Sequence, residues 1–218
     1  MNVTRSFLPI FVGMYHHLST TEKANFLTHA LGLVFGLCAF PFLLLDENQG
    51  QLLGAAIFCF TFLLMFFTSS AYHLAFTSTN KQRWRSADHI SIYLLIAGTY
   101  TYFLLTYLNN PKGHIILAAL WSGALIGAIF KLFFAGKFRL VSTLIYLGMG
   151  WAGVAAIGDF LREMPDPVLL WIGIGGASYS LGTVFYMWKK YTYHHAIWHL
   201  FVLGGALSHW WAIRLSVG

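Results

Sequence analysis

The chain has 218 residues, of which 58% are apolar and only 9% charged, and its mean hydropathy is +0.66. Soluble domains carry about a quarter of their residues as charges, so this composition excludes a water-soluble globule, and an aromatic content of 18% excludes intrinsic disorder. A formal charge of +6 from 13 scattered basic residues makes no phosphate-tracking stripe for a nucleic acid, and the two cysteines, Cys38 and Cys59, make no disulfide scaffold. What remains is a polytopic membrane protein.

Taken in chain order, Phe7–Met14 is apolar for only eight residues, contains Pro9 and leads to no small-residue cleavage pattern, so it does not read as a signal peptide. Ser19-Thr20-Thr21-Glu22 forms a capping-box pattern that opens a helix ahead of the first span. Residues 1–25 therefore read as a cytoplasmic or interfacial segment and residues 26–218 as the transmembrane domain. Seven apolar runs follow: Phe26–Leu45, Leu52–Phe76, Asp88–Leu108, His114–Phe134, Phe138–Phe160, Val168–Trp188 and His195–Val217. Each approaches or exceeds the ~20 residues needed to cross the hydrocarbon core. Connectors such as Asp46-Glu47-Asn48-Gln49-Gly50 and Asn109-Asn110-Pro111-Lys112-Gly113 carry turn and charge signals. The runs are continuously apolar, without the alternation of a barrel strand, so the expected fold is all-α: a seven-helix transmembrane bundle. Gly123, Gly127, Gly148, Gly153, Gly176, Gly182, Gly204 and Gly205 read as helix-packing positions, and Trp84 and Trp188 as interfacial anchors.

Ten of the 13 basic residues fall on one side: Arg5, Lys23, Lys81, Arg83, Arg85, Lys131, Lys137, Arg139, Lys189 and Lys190. Lys112, Arg162 and Arg214 fall on the other, with Asp46, Glu47, Asp159, Glu163 and Asp166. The basic side is the cytoplasmic one. The expectation is a multi-pass protein of the bacterial plasma (inner) membrane, its N-terminus cytoplasmic and its C-terminus outside.

Ionisable groups within the membrane ask for a partner or a function. His73 ends span two, Asp88 begins span three, and His195 and His199 open span seven, all near the cytoplasmic basic residues. The i,i+4 spacing of His195 and His199 puts their Cβ atoms about 5–6 Å apart on one helix face. With His73 they make a three-imidazole set that leaves a fourth position open, the arrangement of a catalytic zinc site, and imidazole donors without thiolates suit zinc. Competing readings stand beside this one. The paired histidines also suit a hydrogen-bonded interior, Asp88 could cap its helix, and Ser69 could bond its own backbone. His209, ten residues past His199, lies about 15 Å along the helix and cannot share that metal.

Four blocks now carry a resemblance: Glu22-x-x-Asn25-x-x-Thr28-His29-x-x-Gly32, Ser69-x-x-Tyr72-His73, Asp88-His89 running into Tyr93-Leu94-Leu95-Ile96-Ala97-Gly98-Thr99-Tyr100-Thr101, and His195-Ala196-Ile197-Trp198-His199 with His209 beyond. Together they resemble the PAQR (progestin and adipoQ receptor) family, in its bacterial hemolysin III branch. The resemblance implies seven helices around an intramembrane Zn2+ held by His73, His195 and His199. It also implies that Asp88 holds the zinc-bound water and that Ser69 stands beside it. Tyr102 departs from the family pattern, which usually has Pro there, so a kink in span three is expected to be missing. Glu22 and His29 are family-block residues that either line the cytoplasmic mouth of the site or serve as a helix cap and a packing residue.

Three functions fit these features: a zinc-dependent hydrolase of a lipid amide or ester bond, related in kind to alkaline ceramidases and serving membrane lipid homeostasis; a zinc-stabilised sensor or regulator without turnover; and a cytolytic pore, which so few polar span residues support least. The expected partner is a lipid substrate or ligand drawn from the bilayer. The basic asymmetry generates a test: a reporter fused after Lys190 is expected to read as cytoplasmic and one at Gly218 as periplasmic or extracellular, and swapped readouts would reverse the orientation.

Overall fold

The computed structural model describes residues 13, 15–46, 48–134 and 137–217. Arg5, Glu47, Gly218 and all of Phe7–Met14 except Gly13 lie outside the described residues. Eight α-helices and one 3₁₀ turn make up the described chain: α1 Thr20–Asp46, α2 Gln49–Leu74, α3 Ser78–Tyr107, α4 Pro111–Phe134, α5 Arg139–Gly150, the 3₁₀ segment Ala152–Ala156, α6 Ile157–Glu163, α7 Asp166–Met187 and α8 His194–Ser216. With α5, the 3₁₀ segment and α6 counted as one span, seven spans are long and apolar enough to cross a membrane. The fold is a seven-span helical bundle.

Helix starts follow side-chain caps more closely than hydropathy. Asn48 accepts from the backbone N–H groups of Gly50 and Gln51 to open α2. Thr77 accepts from Asn80 to open α3. That cap starts α3 ten residues before the apolar run, so Lys81, Arg83 and Arg85 ride on its first turns. Asp88 therefore sits in the interior of α3 and is buried, which overturns the reading of it as an N-cap. α3 continues unbroken through Tyr102, as expected without Pro at that position. The fifth span differs from its expected continuous helix. Its Gly148-Met149-Gly150-Trp151-Ala152-Gly153 stretch is weak in helix propensity, and the chain tightens there into a 3₁₀ turn. A Gly153 N–H bond to the Tyr100 hydroxyl (2.8 Å) and a Tyr100 bond to the Gly150 carbonyl (2.6 Å) hold that turn against α3.

α3 packs along α2, α8 along α7, and α1 closes the bundle between α2 and α8. The core between α1, α2 and α3 is aromatic, with Phe40, Phe58, Phe62 and Phe66 in successive ring contacts. Large apolar side chains such as Leu31, Phe42, Ile115 and Phe133 project outward, as a lipid-facing surface requires. Interior hydroxyls mostly bond their own helices: Thr61 to Ile57, Ser70 to Phe66, Thr101 to Ala97 and Ser208 to Gly204. Cys38 and Cys59 form no disulfide with each other. Gly127, Gly153, Gly182 and Gly205 meet neighbouring side chains as packing positions should, whereas Gly148 faces open space.

At Gly54 the backbones of α2 and α3 come close: an added Cβ would stand 2.8 Å from Tyr102 Cα. Gly54→Leu must therefore part α2 from α3 and is expected to destabilise by about 1–3 kcal/mol. Gly148→Leu, with nothing within 4 Å of its would-be Cβ, should leave stability unchanged. Thermal melts of both variants in detergent check this, and equal melting temperatures would refute it.

Candidate metal centre

The sequence-predicted histidines meet. His73 comes from the last turn of α2, while His195 and His199 occupy the first two turns of α8. Their ring centroids stand 5.3 Å (His73–His195), 5.1 Å (His73–His199) and 4.5 Å (His195–His199) apart. One nitrogen from each lies within 4.8 Å of the others, so the three could hold a single metal ion.

For His73 and His199 the hydrogen bonds show which nitrogen that is. His73 Nδ1–H donates to Glu22 Oε2 (2.6 Å), and Lys81 Nζ donates to Glu22 Oε1 (2.7 Å). His199 Nδ1 lies 3.1 Å from the Asn25 carbonyl and 3.1 Å from Thr28 Oγ1. A carbonyl can only accept, so Nδ1 of His199 must carry the proton. Thr28 donates its own proton to the Ala24 and Asn25 carbonyls, leaving its oxygen free to accept. In both rings the tautomer is thereby set, and Nε2 is left with a bare lone pair. Those Nε2 atoms are buried and unpartnered in both His73 and His199. An orphaned, tautomer-locked imidazole lone pair in hydrocarbon fits a metal ligand, and a carboxylate or carbonyl behind each ring is the usual outer support of such a site. His195 is half-buried, and among the described residues no hydrogen bond holds it.

Glu22 is thus more than the cap expected of it. Its backbone N–H does bond Ser19 Oγ (3.2 Å), the first half of a capping box. Its side chain turns instead to His73 and Lys81, tying α1, α2 and α3 together at one end. Sequence reasoning missed Asn25, Thr28 and Lys81. The signal for the first was the three-residue spacing from Glu22 to Asn25, which puts both on one face of α1.

His73, His195, Glu22 and Asp88 line one cavity of about 490 Å³. Asp88 interacts electrostatically with His73 and with Ser69. Ser69 is 0% exposed, and its hydroxyl, unlike those of Ser70 and Thr61, does not bond its own helix. The backbone-bonding reading of Ser69 is therefore overturned. His29 does not line the cavity. It is buried behind the site, its ring 3.7 Å from that of His199 and edged by Phe66 at 5.1 Å. Gly32 makes that packing possible, since a Cβ there would collide with the Phe66 ring at 2.4 Å. His209 lies elsewhere, against Gly175, Tyr179 and Phe103, as its distance along α8 required.

The order of these elements is matched by relatives. The profile of the family described as haemolysin-III related matches residues 17–210. A hemolysin-3 homolog of Bacillus subtilis is 40% identical over 191 residues, covering 86% of this chain and 90% of its own. Hemolysin-3 of Bacillus cereus is 35% identical over 200 residues, covering 90% and 91%. The human monocyte to macrophage differentiation factor is 27% identical over 215 residues, covering 92% and 86%. No solved structure shows a significant match. With the profile spanning the bundle from just before α1 to Trp210 on the site-bearing helix, and two bacterial relatives aligned over nearly their whole length, the chain belongs to the haemolysin-III-related family, the bacterial branch of the PAQR proteins.

Proposed function

We infer that the protein is a zinc-dependent hydrolase that cleaves an amide or ester bond of a membrane lipid, with its site in the cytoplasmic half of the bundle. The observation that carries this reading is the pair of bare, buried Nε2 lone pairs on His73 and His199, in a cluster where one nitrogen from each of His73, His195 and His199 lies within 4.8 Å of the others. That convergence separates them from the other unpartnered polar atoms of the interior, such as both nitrogens of His29. His73, His195 and His199 would hold the ion through neutral imidazole nitrogens. Zinc in a three-imidazole site supplies a Lewis acid and an acidified water nucleophile.

The chain's own residues have distinct tasks around that chemistry. Glu22 and the Asn25 carbonyl keep His73 and His199 in the tautomer that presents Nε2. Asp88, buried on α3, accepts a proton from the attacking water at its carboxylate and returns it to the leaving group. Ser69 Oγ–H donates to the oxygen on which negative charge develops. Acyl chains lie among the apolar flanks of the bundle, and the scissile bond lies at the floor of the cavity.

Purified protein is expected to contain about one zinc per chain. His73→Ala, His195→Ala and His199→Ala should each abolish it, because two imidazoles chelate weakly. Glu22→Gln keeps an acceptor oxygen but weakens the support of His73, and should lower zinc affinity about 10- to 100-fold. Asp88→Ala should keep most of the metal and lose fatty-acid release from a total bacterial lipid extract, and Ser69→Ala should slow that release by roughly 10²–10³. Elemental analysis and mass spectrometry of released acids read these outcomes. A zinc-free wild type purified without chelators would overturn the metal, whereas full zinc without release of any acid would favour the regulator.

A further inference from the structure

The two ends of the bundle treat their cations differently. At the end opposite the histidines every cation has a carboxylate: Lys112 Nζ bonds Asp159 (2.6 Å), Arg162 also bonds Asp159, and Arg214 bonds Asp46 (3.1 Å). At the histidine end, among the described residues, only Lys81 has one, in Glu22. Arg85, Lys131, Lys137, Arg139 and Lys189 form no ion pair among the described residues, and all five line the 490 Å³ cavity above His73, His195 and Asp88. Cations that only set membrane orientation would fan out into water and headgroups. These converge.

Lys131 makes the point most sharply. It is 2% exposed, sits in the last turns of α4 and has no hydrogen bond or ion pair among the described residues. Arg85 lies close enough to repel it, and Arg85, Lys131 and Arg139 all act on the ring of His89 between them. Arg139 is held in place from the other side, its guanidinium 4.2 Å over the Tyr186 ring. Of the two carboxylates on the wall, Glu22 is already bonded to Lys81 and His73, and Asp88 is shared among His73, Ser69 and Arg85, so it alone faces the five cations. Burying a lysine without a counter-charge is costly, and a concave, low-dielectric wall of one sign concentrates ligands of the other.

We propose that this vestibule is a phosphate-binding site, and that the lipid processed at the histidines is one whose headgroup carries a phosphate. Processing of that lipid rests on the hydrolase reading, whereas binding of its phosphate does not. A phosphate offers oxygens on several sides, which suits two guanidinium forks and three ammonium groups better than a single carboxylate does. The arrangement puts the phosphate at the mouth, between Arg139 and Lys131, and the scissile bond deeper, at His73 and His195. Lys137 and Lys189, both exposed at the rim, draw the headgroup in.

Calorimetry on the full-length protein in neutral detergent tests this with three probes: dihexanoyl phosphatidic acid, its phosphate-free counterpart dihexanoylglycerol, and inorganic phosphate. Phosphatidic acid should bind at least about tenfold more tightly than dihexanoylglycerol, and Lys131→Met and Arg139→Gln should each weaken it about tenfold or more, the scale of a hydrogen bond to a charged group. Lys189→Gln, a rim change that leaves the interior intact, should weaken it measurably, while Lys190→Gln, one residue on and outside the cavity, should not. Competition by inorganic phosphate would mean that the phosphate alone is read, and its failure to compete would assign the site to a lipid-borne phosphate. Equal affinity for the two lipids, or equal effects of Lys189→Gln and Lys190→Gln, would overturn the proposal. The measurement is made on zinc-loaded and chelator-stripped protein alike. A phosphate preference without any hydrolysis would remove the enzyme and keep the vestibule, and hydrolysis without the preference would do the reverse.

Discussion

Inside a bilayer there is no water to complete a hydrogen bond, so each polar atom must find its partner within the protein or remain costly. That constraint makes every described span a helix, turns Thr61, Ser70, Thr101 and Ser208 back onto their own backbones, and recruits side chains to open α2 and α3. It also gives meaning to some of the exceptions. Among the buried atoms without hydrogen-bond partners, the Nε2 atoms of His73 and His199 come from two helices and stand in a cluster that could hold one metal ion. They are the features that a bound ion would satisfy.

The support for that point comes from α1. Its first turns carry Glu22, Asn25 and Thr28, and its packing between α2 and α8 delivers a carboxylate to His73 and a carbonyl to His199. One helix thus sets the tautomers of histidines on two others. Lys81 joins the same carboxylate from α3, so the site is also a fastening of four helices. Behind it, His29 packs against the His199 ring and Phe66 edges His29, with Gly32 giving Phe66 its space.

The basic residues serve two physical roles with one distribution. Their concentration at one end is the charge bias that orients a polytopic chain. The folding of α3, α4, α5 and α7 then brings five of them around one cavity, with Arg139 laid over Tyr186 and Lys131 buried. At the opposite end Asp46 and Asp159 neutralise the cations that remain. A linear reading counts charges per side, and it cannot tell a fan of solvated lysines from a ring of unmatched ones.

Hydropathy and residue spacing by themselves determined the seven spans, the all-helical class and the three-histidine set. Each of those depends on local quantities: the thickness of the hydrocarbon, the 3.6-residue turn and the depth of a residue along its own helix. The family blocks, likewise, are local strings. What only the tertiary structure decided is which nitrogen of His73 and of His199 is free, because that depends on the acceptor that α1 places behind each ring. It decided that Asp88 is an interior residue of α3, since Thr77 moved the helix start ten residues upstream of the apolar run. It separated Glu22, which supports a ligand, from His29, which packs behind one, although both stand in the same block. Periodicity puts residues on a face, but only the packing of α1 against α2 and α8 says what that face meets.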